Sequence, residues 1–251
     1  MYKASVNAKG EHELIIYDEI GDDWFGGVSA KTVLADLKEI PGDAPLTIRL
    51  NSPGGDVFDG VAIHSQLKRR TGNNRVIVDG LAASIASVVA MAGDEIIMAK
   101  GSMMMIHNPW TMTMGDAADM RRMADLLDTV RENIESIYVE RTGAELEWLR
   151  GAMAAETWMS AADAVAFGFA TSVEGEAKIA ACVAEGRYQH TPKQFSLSRE
   201  DGGFNVPDDL ESQILALREQ YGVFHAATTA KPTEPTAWRR EIASRRLGLR
   251  R

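Results

Sequence analysis

The 251-residue sequence has one cysteine, Cys182, too few for an internal disulfide or a cysteine-rich zinc cluster. That scarcity fits a reducing, cytoplasmic setting. No apolar run approaches the roughly 20 residues a membrane-spanning helix needs. The opening segment MYKASVNAKGEHEL lacks the apolar core of a secretory signal, so neither export nor membrane contact is expected. HExxH, GxxxxGK[ST] and GxGxxG are all absent. The five histidines, His12, His64, His107, His190 and His225, include no pair at the short spacing of metal ligands. The expectation is a protein without metal, nucleotide or other cofactor.

What remains is an ordinary globular composition, 45% hydrophobic and 25% charged. The net charge of −9 is unevenly spread: residues 231–251 hold seven basic and two acidic residues, a local +5, leaving −14 on the rest. An acidic body of this kind disfavours nucleic acid. The basic tail reads either as a solvated, partly disordered end or as a contact for an acidic partner, the chain's own acidic body or nucleic acid.

Segments 13–17 (ELIIY) and 46–50 (LTIRL) read as strands, the second with Leu46, Ile48 and Leu50 on one face. Asn51-Ser52-Pro53-Gly54-Gly55 stops that strand, and Asp56 can cap a helix reaching about Arg70. A short strand at Val76–Val78, a buried helix at Ser84–Ala92 ended by Gly93, and strands at Ile96–Met98 and Met103–Ile106 follow. This order gives an α/β fold. A long helix is expected over 116–142, with Met120, Met123, Leu127, Val130, Ile134 and Ile137 on one stripe and Gly143 as its stop. Further helices are expected at 144–153 and after Ser160, whose partner Asp163 completes a capping box, with Gly168 as terminator and a last strand at Ala170–Val173. The domain boundary falls near 176–190. Beyond it lie a helix at 208–221 and a linker at 226–237.

Two glycine turns, Gly54-Gly55 and Gly80-Leu81-Ala82-Ala83-Ser84-Ile85, each open a helix. Backbone N–H groups at a helix start lack intrahelical partners and can hold an oxyanion. Ser84 reads either as a helix cap or as a nucleophile presented at a strand-to-helix turn. His107 reads either as a packed turn histidine or as a base, because Asn108-Pro109 turns the chain right after it. His64, in mid-helix, reads as packing or surface. Spacing alone does not select a third, acidic member.

The segments NSPGGDVFDG (51–60), DGLAASIAS (79–87), MAGDEIIMA (91–99), MMMIHNPW (103–110) and ETWMSAADAVAFGFA (156–170) resemble, in order, those of the Clp protease proteolytic subunit family, ClpP. Together with IYDEIGDDWFGGVSAKTVLADL, they look most like the prohead (head maturation) proteases of tailed phages within that family. The resemblance implies a ClpP/crotonase-like fold of repeated ββα units over residues 1–176, with a long handle helix and a C-terminal extension at 177–251. It implies a serine endopeptidase with catalytic Ser84, His107 and Glu156, the last standing where the family usually has Asp. It also implies an oxyanion hole from Gly55 and Ile85. Its partners would be further copies of itself in a ring-forming homo-oligomer, and protein substrates, capsid or scaffold protein in the host cytoplasm or an assembling procapsid. The rivals are a crotonase-type acyl-CoA enzyme, a Ser/Lys peptidase using Lys100, and a catalytically degenerate scaffolding protein.

Overall fold

The computed structural model describes residues 1–6, 10–21, 27–176, 183–184, 187–192 and 196–197. Its centre is one eight-stranded sheet. Strands β1 (Tyr2–Val6), β2 (His12–Ile16), β3 (Leu46–Ser52), β4 (Asn74–Ala83), β5 (Glu95–Lys100) and β8 (Ser172–Glu176) lie side by side in that order. The β1–β2 pair is antiparallel and every later neighbour is parallel. Two short strands, β6 (Met103–Ile106) and β7 (Thr157–Ser160), branch from the end of β4. A two-residue pair, β9 (Val183–Ala184) with β10 (Ser196–Leu197), forms a separate small sheet.

The alternation in LTIRL works as expected: Leu46, Ile48 and Leu50 are buried, together with Leu14, Ile16, Val76, Val78, Ile96 and Met98. Against this layer pack α1 (Ala30–Lys38), α2 (Val57–Lys68) and α3 (Ile85–Ala90). α2 starts at Asp56, whose carboxylate accepts the Asp59 N–H at 2.9 Å. α6 (Ala161–Ala166) starts at the Ser160–Asp163 capping box and is followed by Gly168 at φ 82°.

One expected turn is absent. The strand expected at Val76–Val78 is the middle of β4, which runs through Gly80 to Ala83. Gly80 therefore opens no helix. The second half of β4 is held in extended form by two partners: Leu81–Ala83 pair with Met103–Met105 of β6, and the Leu81 N–H donates to Asn51 Oδ1 at 3.1 Å. Small residues and a glycine look like a turn in sequence, yet this stretch is buried on both faces, where small residues let layers approach. The sequence reading also passed over β1, α1 and β7. Each is short, and α1 buries only Val33 and Leu37.

The long helix is α4 (Ala117–Thr142, 26 residues), capped by Asp116 and Asp119 and ended by Gly143 at φ 64°. Its stripe runs from exposed to buried: Met120 is 41% exposed, Met123, Leu127 and Ile137 are half-buried, and Val130 and Ile134 are buried. Beside the stripe, Tyr138 is buried and Leu126 is 45% exposed. The buried end is pinned to α5 (Leu146–Ala154) through Glu135, which pairs with both Arg131 and Arg150. Cys182, the 208–221 helix, the 226–237 linker and the basic tail lie outside the described residues.

Candidate active site

Sheet register assembles the site. β6 runs parallel to the end of β4 with Ala83 opposite Met105, so the two chains leave their strands side by side. Ser84 follows the first and His107 the second. β7 runs antiparallel to β6 with Ile106 opposite Thr157, which sets Glu156 across from His107. Three residues separated by up to 72 positions in the chain thus meet at one sheet corner.

Ser84 occupies the N-cap position of α3 without capping it. Its backbone stands at φ 55°, ψ −129°, outside the regions an L-residue favours. The Ser84 N–H donates to Met105 O at 2.9 Å. The Ser84 carbonyl accepts the Ser87 hydroxyl at 2.6 Å, and the Tyr138 hydroxyl in turn donates to Ser87 Oγ at 2.7 Å. The strained turn is therefore held from both sides, and the side chain points away from the helix. Ser84 Oγ lies 2.7 Å from His107 Nε2.

The second turn fits against the first. Gly54 stands at φ 95°, and a Cβ placed there would meet Ala83 O and Ser84 Cβ, each at 2.7 Å. Only glycine allows this approach. Gly55, at φ 147°, sits between the bonds Ile20 N–H to Gly54 O (2.8 Å) and Asp56 N–H to Ile20 O (2.7 Å). Its own N–H belongs to neither. Ile85 is the first residue of α3, where an N–H has no partner one turn earlier.

Burial, first of all, lowers the pKa of His107; the Glu156 charge pulls it up and the Arg187 charge pulls it down. A neutral imidazole can accept the Ser84 proton. Glu156, at φ 48°, does not hydrogen-bond His107 among the described residues. Its carboxylate accepts from Trp158 Nε1 (3.2 Å), Gln189 N (2.8 Å) and His190 N (2.6 Å), with His190 Nδ1 at 3.8 Å. It acts on His107 through its charge.

The other candidates sit elsewhere. Lys100 is exposed at the end of β5. His64 lines a small cavity between α2 and α4 with Lys68, Met91, Ile137, Glu140 and Arg141, where burial lowers its pKa to about 4. Among the described residues no cluster of His, Cys, Asp or Glu could hold a metal ion, and no helix is long and apolar enough to cross a membrane.

Four neighbours of the site were not singled out from the sequence. Ser87 lies one helical turn after Ser84, and Tyr138 falls beside the α4 stripe, so helix periodicity could have found both. Arg187 and Tyr188 lie in a polar stretch that carries no periodic signal. Tyr188 is 7% exposed, its ring stands edge-on to His107 with centroids 5.1 Å apart, and its hydroxyl donates to Pro53 O at 2.6 Å.

Residues 2–177 match the family model described as Clp protease. The ATP-dependent Clp protease proteolytic subunit 2 of Bacillus licheniformis is 32% identical over 162 residues, 64% of this chain and 84% of that protein. The ATP-dependent Clp protease proteolytic subunit 1 of Prochlorococcus marinus subsp. pastoris is 31% identical over 145 residues, 56% of this chain and 74% of that protein. A third relative, proteolytic subunit 1 of Protochlamydia amoebophila, is 33% identical over 133 residues, 51% of this chain and 65% of its own length. With the fold consistent with these matches, the chain belongs to the Clp protease family of serine endopeptidases.

Proposed function

We propose that this chain hydrolyses peptide bonds in protein substrates with Ser84 as nucleophile and His107 as base. The observation that carries the reading is the 2.7 Å contact between Ser84 Oγ and the Nε2 of a half-buried His107, made from a strained turn that presents the hydroxyl instead of capping the helix. Ser84 Oγ attacks the scissile carbonyl while His107 Nε2 takes its proton. The Gly55 and Ile85 N–H groups hold the oxyanion. Collapse of the tetrahedral species breaks the C–N bond, and His107 returns the proton to the leaving amine. Water, deprotonated by the same imidazole, then releases the acyl group and regenerates Ser84. Glu156 supplies the negative charge that stabilises the imidazolium formed in each half.

The exposed half of α4 serves as the handle between copies of the chain in a ring, where enclosure restricts access to unfolded or small substrates. Met120 and Leu126 supply apolar surface for that contact. A crotonase-type acyl-CoA reaction would leave the Ser84–His107 pair unused, and a degenerate scaffold would have no need to keep it. A narrower role, cleavage of capsid or scaffold protein during phage head maturation, draws on the likeness of IYDEIGDDWFGGVSAKTVLADL to that branch. Co-expression with candidate coat proteins tests it.

The main test is hydrolysis of a fluorogenic peptide by the assembled protein. Ser84→Ala and His107→Ala should each lower kcat/KM by about 10⁴-fold or more. Full activity in Ser84→Ala would overturn the reading.

A further inference from the structure

The family match ends at residue 177, yet the chain beyond it returns to the catalytic corner. Residues 187–192 lie across that corner, and three contacts hold them there. Arg187 pairs with Glu19 at 2.5 Å on one side. The Gln189 and His190 N–H groups grip the two oxygens of Glu156 on the other. Between these anchors Tyr188 is inserted. Its ring belongs to a small apolar cluster with Leu81, Ala83 and Met105, flanked by Met103 and Trp158. Leu81 and Ala83 come from the end of β4, directly before the nucleophile, and Met105 from the end of β6, two residues before the base.

The tip of Tyr188 matters most. Its hydroxyl donates to Pro53 O at 2.6 Å, the carbonyl just before the Gly54–Gly55 turn, while its ring packs on Ala83, the residue before Ser84. One side chain therefore touches the nucleophile turn, the histidine and the glycine turn at once. A scissile carbonyl must reach that same space to meet Ser84 Oγ and the Gly55 and Ile85 N–H groups. The strap also occupies the acid: both Glu156 oxygens accept strap N–H groups, and neither bonds to His107.

A permanent wall of the catalytic site would be expected within the portion that the family model matches, residues 2–177. This segment lies outside it. We propose that residues 187–192 are a built-in occupant of the active site, a strap whose Tyr188 fills the place of a substrate side chain, so that substrate must displace it before Ser84 can react. The inference rests on the peptidase reading. Aromatic character, one hydroxyl facing a backbone carbonyl, and a carboxylate taking two successive N–H groups together describe a peptide ligand bound in cis. The occupied space accordingly suits a peptide with a large aromatic or apolar side chain.

The test uses the full-length assembled protein and two readouts, the rate of fluorophosphonate labelling of Ser84 and kcat/KM for a fluorogenic peptide. Tyr188→Ala should raise both by about tenfold or more, because it empties a packed aromatic site. Tyr188→Phe removes only the hydroxyl's bond and should raise both by about fivefold. Arg187→Gln loosens the strap from outside the apolar cluster, and it keeps the test decisive if Tyr188→Ala fails to fold. Its labelling rate should also rise. Unchanged or slower labelling in Tyr188→Phe and Arg187→Gln, with Ser84 still labelled in wild type, would overturn the strap and leave the peptidase reading intact. Absence of Ser84 labelling in wild type and every variant would overturn the peptidase reading, and the strap with it.

Discussion

Two strand-to-helix turns meet at this site, and they are built on opposite terms. The β3–α2 turn places its positive φ angles on Gly54 and Gly55, where they cost little, and then caps α2 with Asp56. The β4–α3 turn places a positive φ on Ser84, a residue with a Cβ, and leaves α3 without a side-chain cap. Such a backbone costs of order 1–3 kcal/mol, and a forgone cap about 1 kcal/mol more. The first turn is arranged for stability. The second gives up stability to aim a hydroxyl at His107.

The sharpest way to break the comparison is to remove what the second turn gains. Ser84→Gly should abolish peptide hydrolysis, a loss of about 10⁴-fold or more. It should also leave the protein as stable or up to ~1 kcal/mol more stable, since glycine accepts the φ of 55°. A thermal melt beside a turnover assay reads both. Lower stability in Ser84→Gly would mean the turn is not strained.

Gly54→Ala probes the first turn and should do the reverse on stability. Its Cβ would collide with Ala83 O and Ser84 Cβ at 2.7 Å. The melting temperature should fall, and activity should drop by about 10²–10³, the worth of one displaced oxyanion donor. Asp56→Ala, a few residues on, should cost about 1 kcal/mol of stability while sparing kcat/KM within a few-fold.

A smaller effect tests the support behind Ser84. Tyr138→Phe deletes the hydroxyl that donates to Ser87 Oγ and so weakens the hold on the Ser84 carbonyl. The expected cost is about 1 kcal/mol in unfolding free energy. The accompanying loss should appear in kcat rather than KM, because the nucleophile and not the binding surface is loosened.

The smallest expected effects are shifts in pH profile. Burial lowers the His107 pKa below its ordinary 6.5, so the active neutral form persists to lower pH and the acid limb of kcat/KM should lie below that value. Glu156 pulls the pKa up, so Glu156→Gln should move the limb to lower pH. Arg187 pulls it down, so Arg187→Gln should move the limb to higher pH. Shifts in the same direction for both variants would contradict the charge assignment.

These two turns also show what the sequence could reveal. The Gly54–Gly55 turn was readable because proline and glycine stop a strand for local reasons. The end of β4 was misread as a turn, because its extended form comes from pairing with β6, a partner more than 20 residues away. The closeness of Ser84, His107 and Glu156 depends on that same pairing and on the β6–β7 register. It was reached through resemblance to a family, not through spacing. In α4 the stripe predicted one apolar face, and the structure covers it unevenly, burying Val130 and Ile134 while leaving Met120 exposed. Periodicity finds the face of a helix but not what lies against it. Tyr188 left no local signal at all, since its burial comes from β4 and β6 residues more than 80 positions earlier.

The central claim is that the strained turn makes Ser84 a nucleophile through His107. Intact-mass and peptide mapping of the assembled protein after fluorophosphonate treatment test it most directly, with His107→Ala alongside. The account predicts one adduct per chain, located on Ser84, and labelling slowed by at least about 10³-fold in His107→Ala. An adduct on another residue, or equal labelling of Ser84 in both proteins, would contradict it.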